Sequence, residues 1–272
     1  MRLTTPLIAA LAYGGVAQAQ TPTQPQIESD GGLSPVCTDR PTKSDSACSV
    51  EPGHWQLETD LFNGSFQRLD GVTTDTWCLT NPTLKYGLVT NVDLEVNMVP
   101  FEFVTTHGAS GAGTESGNGD LYLRLKYTVV GSGPVQIGVV PYVKAPTART
   151  GLGDGAWETG VNMPITLQLN GQLALTFSPE FDALKDGAGS GRHFNTSQTI
   201  DISYSLPKGL TVSGELWGDW NADPAGTSRQ YSFDLVATKS IDKLFQLDGG
   251  VFFGLNRATP GVQLFTGVSR KW

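Results

Sequence analysis

Three histidines, His54, His107 and His193, are the side chains of this chain whose ordinary pKa suits acid–base work near neutrality. A serine nucleophile would need one of them within hydrogen-bond reach, held by an orienting carboxylate. His193 comes nearest, with Ser197 close in sequence and Asp182 or Asp186 across a predicted hairpin. Extended backbone rises about 3.3 Å per residue, so four residues separate His193 from Ser197 too far for a local pair. Catalysis is therefore not expected, and no residue is assigned a catalytic role. The glycine-rich stretches 108–119 and 151–155 precede no helical pattern and carry no P-loop lysine, so they read as loops rather than phosphate cradles. Of the three cysteines, Cys37 and Cys48 flank a short polar segment and, in an exported protein, can close a disulfide. Their spacing is not Cys-x-x-Cys and no histidine lies near, which argues against metal. Cys78 falls in a predicted strand. No cofactor is expected.

The groups left with chemical potential are charged and aromatic side chains spaced two apart, and strands must position them. Over 194–220, Ile200, Ile202, Tyr204 and Leu206 alternate with Thr199, Asp201, Ser203 and Ser205. After the turn at 207–209, Leu210, Val212 and Leu216 alternate with Thr211, Ser213, Glu215, Trp217 and Asp219. Period-two alternation marks a strand with unlike faces. Each run is about twelve residues, which suits a tilted transmembrane strand better than the roughly 5–6 residues of an ordinary one. About twelve such strands follow one another, near 54–68, 73–87, 91–104, 117–130, 134–146, 155–168, 171–184, 194–206, 209–220, 229–240, 244–256 and 260–272. Short turns at 88–91, 131–133, 170–171, 207–209 and 240–243 alternate with longer loops at 105–116, 147–154, 185–193 and 221–228. This asymmetry predicts an all-β fold, an antiparallel transmembrane β-barrel with short periplasmic turns and longer extracellular loops.

A base facing lipid at the midplane would cost roughly 2–4 kcal/mol, so the charged face must point inward. The acidic candidates there are Glu58, Asp60, Asp93, Glu95, Glu158, Glu180, Asp182, Asp201, Glu215, Asp219, Asp234 and Asp248. The inward bases are fewer: Lys85, Arg124, Lys126 and Lys144. By the same parity Tyr122, Tyr142, Trp217 and Phe252 face the lumen. Either the acids line an aqueous path that favours cations or neutral solutes, or acids and bases pair into a network that fills the barrel. Aromatics at strand ends, Trp55, Tyr86, Trp157, Phe181, Trp220, Tyr231 and Phe253, suit interfacial girdles.

Residues 1–19 have a charged start, an apolar core and the small-x-small end Ala17-Gln18-Ala19, as a secretory signal peptide does. Residues 20–53, rich in Pro, Ser, Thr and Asp, read as a periplasmic, partly disordered N-terminal segment, and 54–272 as the barrel. Past the signal, no stretch reaches the roughly 18 apolar residues of a membrane helix, so any spanning structure is β. A net charge of −8 argues against nucleic acid as a partner. The expected surroundings are the lipid bilayer of the bacterial outer membrane and a small solute.

Several strings carry a resemblance: Asp39-Arg40-Pro41-Thr42-Lys43, Glu51-Pro52-Gly53-His54-Trp55-Gln56-Leu57-Glu58, Asn81-Pro82-Thr83-Leu84-Lys85-Tyr86-Gly87, Val143-Lys144-Ala145-Pro146-Thr147 and Gly254-Leu255-Asn256-Arg257-Ala258-Thr259-Pro260. Together they resemble the outer-membrane transporter family named for the meta-pathway of phenol degradation, over nearly the whole mature chain. The resemblance implies a barrel that passes small, often aromatic compounds, and brings no catalytic residues with it. The terminal aromatic Trp272 similarly resembles the signal read by the outer-membrane assembly machinery, although Thr266 and Arg270 interrupt the apolar pattern leading to it. The expected function is a passive channel for small aromatic or hydrophobic solutes. The rival readings are an occluded structural or adhesive barrel acting through its extracellular loops and, third, an outer-membrane lipid hydrolase.

Overall fold

The computed structural model describes residues 33–109 and 111–272. The expected signal peptide, 1–19, and the stretch 20–32 of the lead-in lie outside the described residues. Sixteen strand segments form one antiparallel sheet: β1 (Trp55–Leu69), β2 (Val72–Thr80), β3 (Thr83–Val89), β4 (Val92–Met98), β5 (Phe101–Gly108), β6 (Gly111–Gly117), β7 (Leu121–Val130), β8 (Val135–Ala145), β9 (Glu158–Asn162), β10 (Ile165–Gln168), β11 (Leu173–Lys185), β12 (Arg192–Leu206), β13 (Leu210–Asn221), β14 (Ser228–Ser240), β15 (Phe245–Gly254) and β16 (Val262–Lys271). Four pairs are halves of single wall strands: β2 with β3, β4 with β5, β6 with β7 and β9 with β10. The wall therefore has twelve strands.

The sheet closes on itself. β16 pairs with β1 from Gln56↔Lys271 to Phe66↔Val262, and Trp55 and Trp272 exchange backbone hydrogen bonds of 3.0 Å. Closure removes the unpaired edge that lipid would not tolerate. Outward positions are large and apolar, among them Leu94, Leu125, Val143, Ile200, Ile202, Leu216, Leu235 and Leu264. The side chains withdrawn from solvent are mostly polar and point into the lumen. That inversion of the usual globular pattern belongs to a protein of the bacterial outer membrane. Aromatics meet near both rims, Trp55 on Tyr86 at 4.5 Å and Trp220 on Tyr231 at 5.9 Å, the second pair joined by Nε1–H donating to the phenol oxygen.

The breaks between half-strands fall where proline or glycine interrupts the ladder: Pro82, Pro100, Gly119 and Pro164. Proline cannot donate to a neighbouring strand, so a wall strand must bend there. Three of the breaks lie on neighbouring wall strands. In the same region β6 pairs with β5 alone. Just past it, at the junction with β7, the 146–157 loop docks through Arg149 N–H to the Asn118 carbonyl (3.0 Å), Asn118 Nδ2 to the Thr147 carbonyl (2.8 Å) and Ala148 N–H to Asp120 Oδ1 (2.8 Å).

Three expectations change. The stretch 105–116 is not a loop, because β5 and β6 continue the ladder from Glu102↔Gly117 to Gly108↔Gly111. Small side chains suffice there, since a ladder is held by backbone hydrogen bonds. The expected alternation of short turns and long loops also has an exception. β1 and β2 meet at the extracellular end through Asp70-Gly71, both at positive φ, a tight hairpin turn. Finally, residues 33–53 of the lead-in do not hang in the periplasm. They run inside the barrel.

Candidate functional site

The lumen site is built from inner faces of the wall and from this internal segment. Cys37 and Cys48 are bonded to each other and tie the segment into a lasso. Its charged residues each reach a different part of the wall. Asp39 lies between Lys85 and Lys126, with Lys126 Nζ 2.6 Å from Oδ2. The same lysines hold Glu58 (2.6 Å from Lys85) and Glu95 (3.2 Å from Lys126). Arg40 spans two carboxylates, Asp60 at 2.6 Å and Asp248 at 2.8 Å. Lys43 contacts Asp234 at 2.6 Å, lies 4.8 Å from the Trp217 ring and 3.9 Å from that of Phe252, and its backbone N–H donates to Glu215. Such pairs are worth their desolvation only when the remaining hydrogen-bonding capacity is also met. Here Ser46 N–H and Oγ–H both donate to Asp39 Oδ1 at 2.7 Å, and Arg40 Nε donates to Asp248.

Two glycines make room for this plug. A Cβ at Gly267 would collide with the Arg40 guanidinium, and one at Gly87 would collide with the Glu51 carbonyl. Where the plug leaves for β1, Glu51 accepts from Lys271 Nζ at 2.9 Å and from Ser34 N–H at 2.8 Å. Burial pushes the Glu51 carboxyl up, but these hydrogen bonds outweigh it and hold the pKa at about 2.

The plug fills one side of the lumen and leaves space on the other. A cavity of about 240 Å³ lies against plug residues Asp39, Arg40, Lys43 and Asp45. A second, of about 460 Å³, extends to Glu102, Asp120, Tyr122, Tyr142 and Leu152, the last in the 146–157 loop. Asn81, Asn97, Arg124 and Glu180 line both. Arg124 lies beside a pair of phenol rings, 5.9 Å from that of Tyr122 and 6.0 Å from that of Tyr142, the two rings being 5.9 Å apart. Its Nη1 is 3.7 Å from Asp45, and its Nε has no hydrogen-bond partner among the described residues. The Tyr142 hydroxyl donates to Asp182 Oδ1 at 2.8 Å, fixing the ring.

Of the lumen candidates, Glu58, Asp60, Glu95, Lys126, Lys144, Asp201, Glu215 and Asp234 are buried on the inner face. Lys144 gathers Asp120, Asp154 and Glu158 at 3.4, 2.8 and 2.7 Å. Tyr122, Arg124, Tyr142 and Glu180 border the cavity, and Trp217 packs under Lys43. His193 Nδ1 lies 3.1 Å from Asp186 Oδ1, while Ser197 lies four residues further along β12, opposite Asp219. Sequence reasoning missed the plug residues Asp39, Arg40, Lys43 and Asp45. Their signal was the shortage of inward bases among so many inward acids.

Fold and site together define a class: a twelve-strand outer-membrane barrel whose lumen holds its own N-terminal segment. The chain belongs to the family described as "Putative MetA-pathway of phenol degradation", whose model matches residues 38–272. No curated protein sequence matches it. Among solved structures it is similar to an outer-membrane channel from Pseudomonas putida F1, at 16% identity and a TM-score of 0.68, over 85% of this chain and 100% of that one. It is also similar to the β-domain of the Bordetella autotransporter BrkA (12% identity, TM-score 0.52, 82% and 100%). A third likeness is to the translocator domain of the Neisseria meningitidis autotransporter NalP (11% identity, TM-score 0.50, 81% and 88%). At these identities the likeness is one of fold.

Proposed function

We propose that the protein is a passive outer-membrane channel for small aromatic or hydrophobic solutes. The observation that carries this reading is the cavity beside the plug, bordered by Tyr122, Tyr142 and Leu152. At about 460 Å³ it falls within the roughly 300–1,000 Å³ of small-molecule sites. A non-selective pore has no use for two neighbouring phenols on its wall, one of them held by Asp182. A flat apolar solute stacks on them, while Asn81, Asn97 and Arg124 offer hydrogen bonds to a hydroxyl or carbonyl. The similar protein from Pseudomonas putida F1 is an outer-membrane channel, which agrees with this reading.

The pairing of plug and wall charges supports a second reading, an occluded barrel that works through its extracellular loops. Single-channel conductance of the refolded protein in a planar bilayer separates the two. Discrete openings that phenol or a similar monoaromatic blocks, with block weakened in Tyr142→Ala, support the channel. A stably inserted but silent barrel, with or without phenol, abolishes it in favour of the occluded form.

A further inference from the structure

We propose that Lys185, Arg192 and Arg229 form a binding site on the outer wall for the phosphate groups of the glycolipid of the extracellular leaflet. Lys185 ends β11, Arg192 begins β12 and Arg229 is the second residue of β14, so all three lie at the extracellular ends of their strands. Alternation sets which way they point. In β12 the side chains of His193 and Asn195 are buried in the lumen, while Arg192 and Phe194 are exposed on the outer face. Lys185 lies directly opposite Arg192 across the ladder, and Arg229 opposite the outward Trp220. Trp220 in turn faces Thr196, further along β12 from Arg192. With about 3.3 Å per residue and about 4.8 Å per strand, the backbones of Arg192 and Arg229 are about 16 Å apart. A headgroup carrying more than one phosphate bridges that span more readily than a single small anion.

Basic side chains at a surface do not by themselves make a site, but two independent observations point to an anionic lipid. The first is the want of a partner. Arg40, Arg124, Arg257 and Arg270 each pair with a carboxylate, whereas Arg192 and Arg229 have none among the described residues. The carboxylates of the adjoining strands, Glu158, Glu180, Asp182 and Asp219, point inward to Lys144, Asn162, Tyr142 and Asn195. Lys185 donates to the Asp154 carbonyl at 2.7 Å and forms no ion pair among the described residues. With 26 acidic side chains against 18 basic ones, unpaired arginines are unexpected unless their partner lies outside the chain. The second observation is position. Beside the patch Phe181 and Phe194 stack at 6.2 Å, Trp220 meets Tyr231 at 5.9 Å, and Trp157 is 58% exposed. Aromatic belts of this kind lie at headgroup level, so cations at the strand ends stand where lipid phosphates are. Guanidinium binds phosphate through parallel, charge-assisted hydrogen bonds. The site is on the opposite side of the wall from the lumen cavity and independent of what passes through it.

The test is native mass spectrometry of the refolded full-length barrel, released from detergent micelles that contain diphosphoryl lipid A or the same lipid stripped of its phosphates. Diphosphoryl lipid A should stay bound and the stripped lipid should not. Its apparent affinity should fall about fivefold in Arg192→Gln and about twenty-five-fold when Arg229→Gln is added, since each base near an anionic surface contributes a similar increment. Both arginines are exposed, so the double variant should keep the heat-modifiable gel mobility of the folded barrel, which separates lost binding from lost folding. Lys208→Gln with Lys239→Gln, at the periplasmic end, should leave the affinity unchanged. Equal retention of the stripped lipid overturns the proposal, as does a double arginine variant that binds like the wild type. So does an equal loss in the periplasmic pair, which would reduce the effect to net charge. Displacement of the lipid by inorganic phosphate at the same concentration would also overturn it, because the site would then hold a free ion rather than a headgroup.

Discussion

Replacing Arg40 by methionine should loosen the plug while leaving the barrel closed. Arg40 bridges two wall strands far apart in sequence, β1 through Asp60 and β15 through Asp248. Both carboxylates are almost wholly shielded, with side chains 2% and 0% exposed. Removing one partner of a buried pair costs about 3–5 kcal/mol, chiefly because the other charge stays buried and unpaired. The lumen admits water near the guanidinium, whose side chain is 16% exposed, so the lower end of that range applies. About 3 kcal/mol corresponds to a shift of roughly a hundredfold in the equilibrium between seated and displaced plug. Single-channel recording should show it as more frequent or longer openings, with circular dichroism and gel mobility still those of a folded barrel. Adding Asp60→Asn and Asp248→Asn to Arg40→Met removes the stranded charges and should restore most of the closure. The three changes would then be strongly non-additive. Openings in Arg40→Met indistinguishable from wild type would refute the reasoning, since the plug would then be held by something other than its ion pairs.

Further outcomes follow from the same geometry. Gly267→Leu alters no charge but drives a side chain into the space of the Arg40 guanidinium, so it should mimic Arg40→Met in conductance, whereas a bulky residue at an outward position such as Leu264→Phe should not. The Glu51–Lys271 pair has a defined pH signature: Glu51 is depressed to about 2 from 4.5, so it stabilises the fold fully above about pH 4.5 and loses that contribution as pH falls through 2. The stability difference between wild type and Glu51→Gln in thermal unfolding should therefore be constant from neutrality to about pH 4.5 and vanish near pH 2; a difference that disappears by pH 4.5 would contradict the depressed value. Pro82→Ala and Pro100→Ala together restore donors at two strand breaks and should straighten that part of the wall, read as increased amide protection from hydrogen exchange across 80–101.

The wall was legible because lipid imposes a rule on every residue of a spanning strand. Ile200, Ile202 and Tyr204 had to face one way and Thr199, Asp201 and Ser203 the other, and period two survives in a single sequence without any alignment. Legibility fades wherever the rule lapses. Residues 105–116 carry too few large side chains to alternate, yet backbone pairing alone extends the β5–β6 hairpin. The breaks at Pro82 and Pro100 split strands that otherwise read as continuous. On β1, the shift between Asp60 and Phe62 leaves Leu61 as an extra residue and switches which parity faces inward.

The plug was hidden for a different reason. Residues 33–53 are polar and rich in proline and serine, the composition of a chain with no core to join. They order because the lumen is an inverted core, where the groups in need of partners are charges rather than methyls. A count of the side chains expected to face inward carries the clue, with twelve acids against the four bases Lys85, Arg124, Lys126 and Lys144. Carboxylates shielded to the degree of Glu215 and Asp234 are costly to bury unless cations or donors are brought to them. No wall strand supplies enough, so something else must enter the barrel, and Arg40 and Lys43 are the cations nearest in sequence to its first strand. An excess of one charge on the inner face of a predicted barrel is thus a reason to look for its complement in whatever precedes the barrel. It also implies that plug and wall change together, since a base lost from one leaves an acid stranded on the other.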